Sequence, residues 1–209
     1  MSKEQETSIE ERKVTKAEVS RLRVLDAAAK VLREKGYAGT TMRTIAAAAE
    51  VDPSSIYYHF PSKDALIDAV FDFGMNAVAN AVYDAIATID GEVTPRERLE
   101  FAVRAHIAAV LKFGDYTVAI RKSRRDLPRA IRRPHSVLRD AYGRFWHQLL
   151  LDSQREGIVD AGADITRVRL FLLDALNAAT EWFDARRDQP DSFAEDLARW
   201  SLHGIVSTK

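Results

Sequence analysis

Apolar residues recur every three or four positions along almost the whole chain, and the strict alternation of a half-buried strand is nowhere sustained. This pattern predicts an all-α protein. Thr15 and Glu18 form a T-x-x-E capping box that opens a first helix, in which Val19, Leu22, Leu25, Ala29 and Leu32 make one apolar stripe. Gly36, which tolerates positive φ, ends it. Thr40 or Thr41 caps a second helix over 42–49, and Asp52-Pro53 caps a third. That third helix stops near residue 59, because Pro61 disfavours helical geometry at Phe60. Ser62 opens a long fourth helix to about Ile89, with Leu66, Val70, Phe73, Val78, Val82 and Ile86 on its inner side. Beyond Asp90-Gly91, a Thr94–Glu97 capping box starts a fifth helix to about Phe113, and shorter and longer helices follow near 116–125 and 129–156. Asp164 caps an eighth helix running to about Arg187; after Gln189-Pro190, a Ser192–Glu195 capping box begins the ninth, which Gly204 closes.

Composition narrows the class. The chain has 209 residues, 46% of them apolar, so it can bury a sizeable core. Cysteine is absent, which excludes disulfides and thiolate metal sites and suits a reducing cytoplasm. The polar first 14 residues lack the apolar core of a signal peptide and read as a disordered tail. No run of about 18 apolar residues predicts a membrane span. Formal charge is zero overall, and residues 1–70 hold 11 Lys/Arg against 11 Asp/Glu, so a nucleic-acid face has to arise by segregation of charge. Asp26, Glu34 and Asp68 are expected to turn away from such a face. Arg12, Lys13 and Lys16 either reach a groove or backbone, or belong to a solvated tail.

The second and third helices meet across about three residues, Glu50-Val51-Asp52, in the manner of a helix-turn-helix. Ser54 and Ser55 sit on the first turn of the third helix, small enough for close approach and able to bond bases or phosphates. Arg43 projects from the second helix toward guanine or a phosphate, and Thr41 and Thr44 offer hydroxyls. Tyr57, Tyr58 and His59 close the short helix with phosphate-reaching groups, one of the two tyrosines also packing inward. Lys63 stands at the start of the fourth helix, where free N–H groups favour an anion. Ile45, Ala46, Ala49, Val51, Ile56 and Phe60 are the packing residues of the unit.

Residues 23–67 resemble the N-terminal domain of the TetR family of transcriptional regulators. The resemblance is carried by R-V-L-D-A-A-A from Arg23, E-K-G-Y from Glu34, T-T-M-R-T-I-A from Thr40 and S-I-Y-Y-H-F-P-S-K from Ser55. Two departures stand out: Glu50 replaces a turn glycine, and Ser54 replaces a glycine early in the recognition helix. The resemblance implies a helix-turn-helix DNA-binding domain over 15–62 and a larger helical effector-binding and dimerisation domain over 63–209. Its expected partners are a double-stranded operator, a small effector and a second copy of the chain.

For dimerisation, Leu170, Leu173, Ala178, Trp182, Phe193, Leu197 and Trp200 are the candidates; the alternative is that they complete the monomer core. Residues 111–147 hold ten Lys/Arg against three Asp, interleaved with Tyr142, Phe145, Trp146 and His147. Arginines beside apolar groups suit an amphipathic anion such as an acyl-CoA thioester, although a solvated basic face has the same composition. This part, including Asn177 to Phe183, also resembles TetR-type regulators of lipid and steroid catabolism that respond to acyl-CoA. The candidate effector residues are therefore His106, Arg121, Arg125, Arg139, Tyr142, Trp146 and Asn177, with His106 a core histidine rather than a metal ligand. No cofactor, metal site or catalytic residue is expected: there is no cysteine nucleophile, no G-x-S-x-G, no phosphate loop and no H-E-x-x-H. A repressor released by its effector is the leading reading. A nucleoid-type protein without effector and a lipid-thioester enzyme are the alternatives.

Overall fold

A computed structural model describes residues 15–89, 91 and 93–203; the N-terminal tail, with Arg12 and Lys13, and the stop at Gly204 lie outside them. The described chain is all-α. Its helices are α1 (Lys16–Gly39), α2 (Met42–Ala49), α3 (Pro53–His59), α4 (Lys63–Ala87), α5 (Pro95–Lys112), α6 (Gly114–Ser123), α7 (Arg129–Arg155), α8 (Ile165–Asn177), α9 (Ala179–Trp182) and α10 (Pro190–His203).

Caps do much of the delimiting. The expected capping boxes at Thr15–Glu18 and Thr94–Glu97 both form, and Thr41 and Thr44 make a further one that opens α2. Gly36 adopts φ 65° and interrupts α1 before a last turn. Two expectations fail near the C-terminus. The helix predicted from Asp164 to Arg187 stops at Asn177, leaving the single turn α9 and then an extended Phe183. Past Trp182, Asp184 accepts from the Arg186 N–H and Asp188 from the Asp184 N–H, so carboxylates take donors that a continuing helix would use. The Ser192–Glu195 capping box does not form either, because α10 already starts at Pro190 and Ser192 bonds the Gln189 carbonyl.

Three buried clusters share α4, the smallest being Val78 with Ala109 and Val110 of α5. The first joins α1, α2 and α3 to the N-terminal half of α4 and is completed by Tyr116 and Ala119 of α6, Leu127 of the following turn and Ile131 at the start of α7. The second gathers Val82 of α4 with α5, α7, α8, α9 and α10 around the fully buried Trp146 and Leu150. By length and composition α4 is apolar enough to cross a membrane, yet it packs against α1, α5, α6 and α7. Gly74 lets α6 approach it: a Cβ there would stand 2.8 Å from Ile120 and 2.9 Å from Tyr116.

Polar ties reinforce the first cluster, joining α6 to α1 and α7 to α4. The Tyr116 hydroxyl donates to Asp26 at 2.6 Å, and Arg33 pairs with Asp115 at 2.5 Å, binding α6 to α1. His135, buried on α7, lies between Asp68 at 2.8 Å and Asp72 at 3.2 Å on α4. Asp26 and Asp68 are thus turned toward the larger helical half, as charge segregation requires, and Glu34 pairs with Arg33.

Candidate nucleic-acid interface

The third helix is seven residues long and inserts only Ile56 into the core, with Phe60 as the buried residue that caps it. Ser54 and Ser55 are exposed on its first turn. Tyr57 is 54% and Tyr58 81% exposed, so neither packs inward; Ile56 and Phe60 already fill the space a tyrosine would need. Arg43 stands exposed on α2 and makes no ion pair among the described residues. These five side chains face solvent from two adjoining helices, which is the surface a major groove accepts.

The other candidates are already engaged. Thr41 and Thr44 exchange the capping bonds of α2, each hydroxyl accepting the other's N–H at 3.0–3.1 Å. His59 Nε2 lies 3.2 Å from the Ser20 hydroxyl, pinning α3 to α1. Lys63 is half-buried: its ammonium donates to the Tyr37 carbonyl at 2.8 Å and sits 3.9 Å from the Tyr37 ring centre. That ring is held in turn by Asp64, whose carboxylate accepts the Tyr37 hydroxyl at 2.6 Å and pushes the phenol up to about 12. Lys63 therefore fastens α4 to the end of α1 before it can serve a phosphate. Ser54 donates its hydroxyl to Asp52, the N-cap of α3, and this bond helps hold the Asp52 carboxyl below the usual range.

Of the residues expected to hold an effector, four come together. His106 on α5 places Nδ1 2.8 Å from the Tyr142 hydroxyl, and Trp146 stands edge-on to both rings. Asn177 approaches the same imidazole from the end of α8, a contact that favours the charged ring. Burial outweighs it and pushes His106 down to about 4, so the ring is neutral at physiological pH. The Nε2 of His106 and the indole N–H of Trp146 have no well-formed hydrogen bond, although the indole lies close enough to Tyr142 to favour its phenolate. Burial dominates there and pushes the Tyr142 phenol up.

The three arginines do not join this cluster. Arg121 pairs with Glu181 of α9, Arg125 is exposed in the turn after α6, and Arg139 pairs with Asp140 at 3.2 Å. Arg139 instead lines a surface cleft of about 540 Å³ with Arg129, Arg132 and Ser136.

The proposed dimer residues divide as well. Leu170, Trp182 and Trp200 are exposed by 51%, 49% and 63%, and Phe171, left out of the candidate set, by 67%. Leu173 and Ala178 are half-buried. Leu197 belongs to the second core, and half-buried Phe193 packs against that core and edge-on to Phe183. The period of α10 turns 193 and 197 inward and leaves Trp200 outside.

Two family models match the chain. "Bacterial regulatory proteins, tetR family" covers residues 24–70, and "Tetracyclin repressor-like, C-terminal domain" covers residues 92–205. The chain belongs to the TetR family. Members of this family are DNA-binding transcription regulators, and the helix-turn-helix falls within the first match. The regulator UidR of Escherichia coli is 38% identical over 56 residues, which span 27% of this chain and only 29% of UidR. The repressor KstR2 of Rhodococcus jostii is 26% identical over 170 residues, 78% of this chain and 79% of that one. Among solved structures, AibR in complex with isovaleryl coenzyme A and operator DNA superposes with a TM-score of 0.75 at 22% identity, covering 89% of this chain and 97% of AibR.

The departure from the family's turn glycine has a structural cost. Glu50 adopts φ 54° and ψ 46°, the single non-glycine residue with positive φ among those described, and Arg23 pairs with it at 3.1 Å on an exposed surface. An L-residue in the left-handed region costs about 1 kcal/mol, more than an exposed ion pair returns. Glu50→Gly is expected to raise the melting temperature by about 2–4 °C, read by calorimetry. An unchanged or lower value would mean that Arg23 compensates for the strain.

Proposed function

We infer that the chain is a homodimeric, cytoplasmic transcription repressor that leaves its operator when a small amphipathic effector binds. The observation that carries this reading is the outward face of α3 and α2: Ser54, Ser55, Tyr57, Tyr58 and Arg43 all meet solvent on an element anchored by Ile56 and Phe60. A helix this short reads few bases, so a two-fold partner supplies the other half-site. The exposed Leu170, Phe171, Trp182 and Trp200 support that pairing, since monomers rarely leave four large apolar side chains outside on neighbouring helices. Phe171→Ser should weaken self-association at least tenfold in sedimentation equilibrium while leaving the melting of the monomer unchanged. An unaltered dimer constant would place the interface elsewhere.

Release requires that effector occupancy reach α3. The ties of α6 to α1 through Tyr116–Asp26 and Arg33–Asp115, and the continuous α4 from Lys63 to the second core, support such coupling. An effector that prefers one spacing of the two recognition helices moves the population by its differential affinity. A palindromic operator fragment in a gel-shift titration tests this; a ligand that binds the protein yet leaves operator affinity unchanged removes the inducer mechanism. No catalytic role is assigned to any residue. Binding that barely depends on sequence would favour the nucleoid-type alternative.

A CoA-thioester effector is supported by the gradient along α7. Arg129, Arg132 and Arg139 line one cleft without an acidic lining residue, and Tyr142, Phe145 and Trp146 follow within two turns. Phosphates and an acyl group match those two ends. Titration with isovaleryl-CoA against free isovalerate separates the contribution of the nucleotide.

A further inference from the structure

A second cleft lies where the two halves of the chain meet. It measures about 590 Å³, within the range of small-molecule sites, and draws its walls from α1, α4, the α5–α6 junction, α9 and Phe183. Its apolar surfaces include Phe73, Phe113, Val118 and Phe183. The charged groups on its rim are mostly spoken for: Asp26 accepts from Tyr116, and Arg33 pairs with Asp115. Lys112 is the exception. It is exposed, rests 5.5 Å from the Phe113 ring centre and makes no ion pair among the described residues. The lining's charges balance, Arg33 and Lys112 against Asp26 and Asp115, and Lys112 is the cation among them without an ion-pair partner. Thr180 of α9 also lines it, and the Thr180 hydroxyl oxygen is buried without a hydrogen-bond partner. A buried hydroxyl without a partner is costly, and such groups are commonly completed by something that enters the site.

We propose that this junction cleft is a binding site for a compact apolar carboxylate, its anionic head on Lys112, its body among Phe73, Phe113 and Phe183, and a polar atom satisfying Thr180. The site is separate from the aromatic cluster around His106 and from the arginine cleft on α7, and it stands whether or not either of those binds an effector. Because α1 supplies Asp26 and Arg33 to its wall while α6 supplies Asp115 and Tyr116, an occupant touches both sides of the tie between the helix-turn-helix and the larger helical half.

The test is calorimetric titration of the full-length protein with phenylacetate and octanoate, each paired with its uncharged amide. The expected result is saturable binding of at least one carboxylate, with the amide bound at least tenfold more weakly. Lys112→Met should remove that preference for charge. Thr180→Val, which keeps the shape and deletes the hydroxyl, should weaken binding several-fold and leave the unliganded protein at least as stable as wild type, since an unpaired polar group is gone. The second variant guards against loss of folding as an explanation of the first. Absence of binding by both carboxylates overturns the assignment. So does binding that neither Lys112→Met nor Thr180→Val alters, because the ligand would then sit elsewhere.

Discussion

Alanine at Arg43, Ser55 and Tyr58 together is expected to abolish retention of the operator fragment while the protein stays folded. All three side chains are exposed, Tyr58 by 81%, and none makes an ion pair or hydrogen bond that holds α2 against α3. Removing them should therefore leave the melting temperature within a degree or so, as surface changes usually do. Each contact to a base or phosphate contributes about 1–2 kcal/mol, so loss of three weakens binding roughly 10²- to 10⁴-fold at each half-site, and by more for a dimer that engages both. The single variants sort the roles. If Arg43 meets a phosphate, Arg43→Ala flattens the salt dependence of binding; if it meets guanine, it relaxes the preference at one base pair. Lys63→Ala provides the contrast, since its ammonium caps the Tyr37 carbonyl and its loss should lower stability along with affinity. A folded triple variant that still binds the operator with wild-type affinity would end the assignment of this face.

Much of this face was legible because short-range chemistry writes it. Capping residues at Thr15, Thr41, Asp52, Ser62, Thr94 and Asp164 bond their own helix starts, and neighbours in sequence decide those bonds. Proline at 61 fixes the end of α3 by the same local logic. Orientation of side chains was less legible. Whether a tyrosine on a seven-residue helix faces in or out depends on what α1 presents, and α1 presents Ser20 to His59 and Arg21 to Phe60, leaving both tyrosines free. Lys63 shows the same limit: its partner, the carbonyl of Tyr37, is 26 positions away.

The larger half divides along similar lines. The pairing of Tyr142 with Trp146 was readable from their helical spacing, whereas His106 meets them across 36 positions. The fate of Arg121 was not readable, because Glu181 lies 60 positions away on a turn that sequence reading had merged into a longer helix. The links of Tyr116 to Asp26 and of His135 to Asp68 and Asp72 join positions 90 and some 65 apart, and no local pattern announces them. The first holds the helix-turn-helix half to the larger one, and the second holds α7 against α4 beside that junction. Long-range pairing, not helix formation, is what the one-dimensional pattern leaves open.

His106 makes the second large effect one of pH. Its folded-state value of about 4 lies below the ordinary 6.5 because the ring is enclosed by Tyr142, Trp146 and the α5–α8 core, where a charge has no water. As pH falls through 6.5, the unfolded chain takes up a proton on this ring while the folded chain refuses it until about 4. The contribution is therefore fully present above 6.5 and is lost progressively between 6.5 and 4, at about 1.4 kcal/mol per pH unit and about 3 kcal/mol in all. Carboxylates also titrate toward the lower end of this window, so the comparison needs a chain that lacks only the imidazole. His106→Phe keeps a ring against Tyr142 and Trp146 and cannot be protonated. It should start less stable at pH 7, because the Tyr142 hydroxyl loses its partner, and then hold its stability better down to pH 4.5 in urea melts, with the two curves converging. Parallel curves for the two proteins across that range would show that the buried imidazole does not set the acid limit of the fold, and that water reaches it in solution.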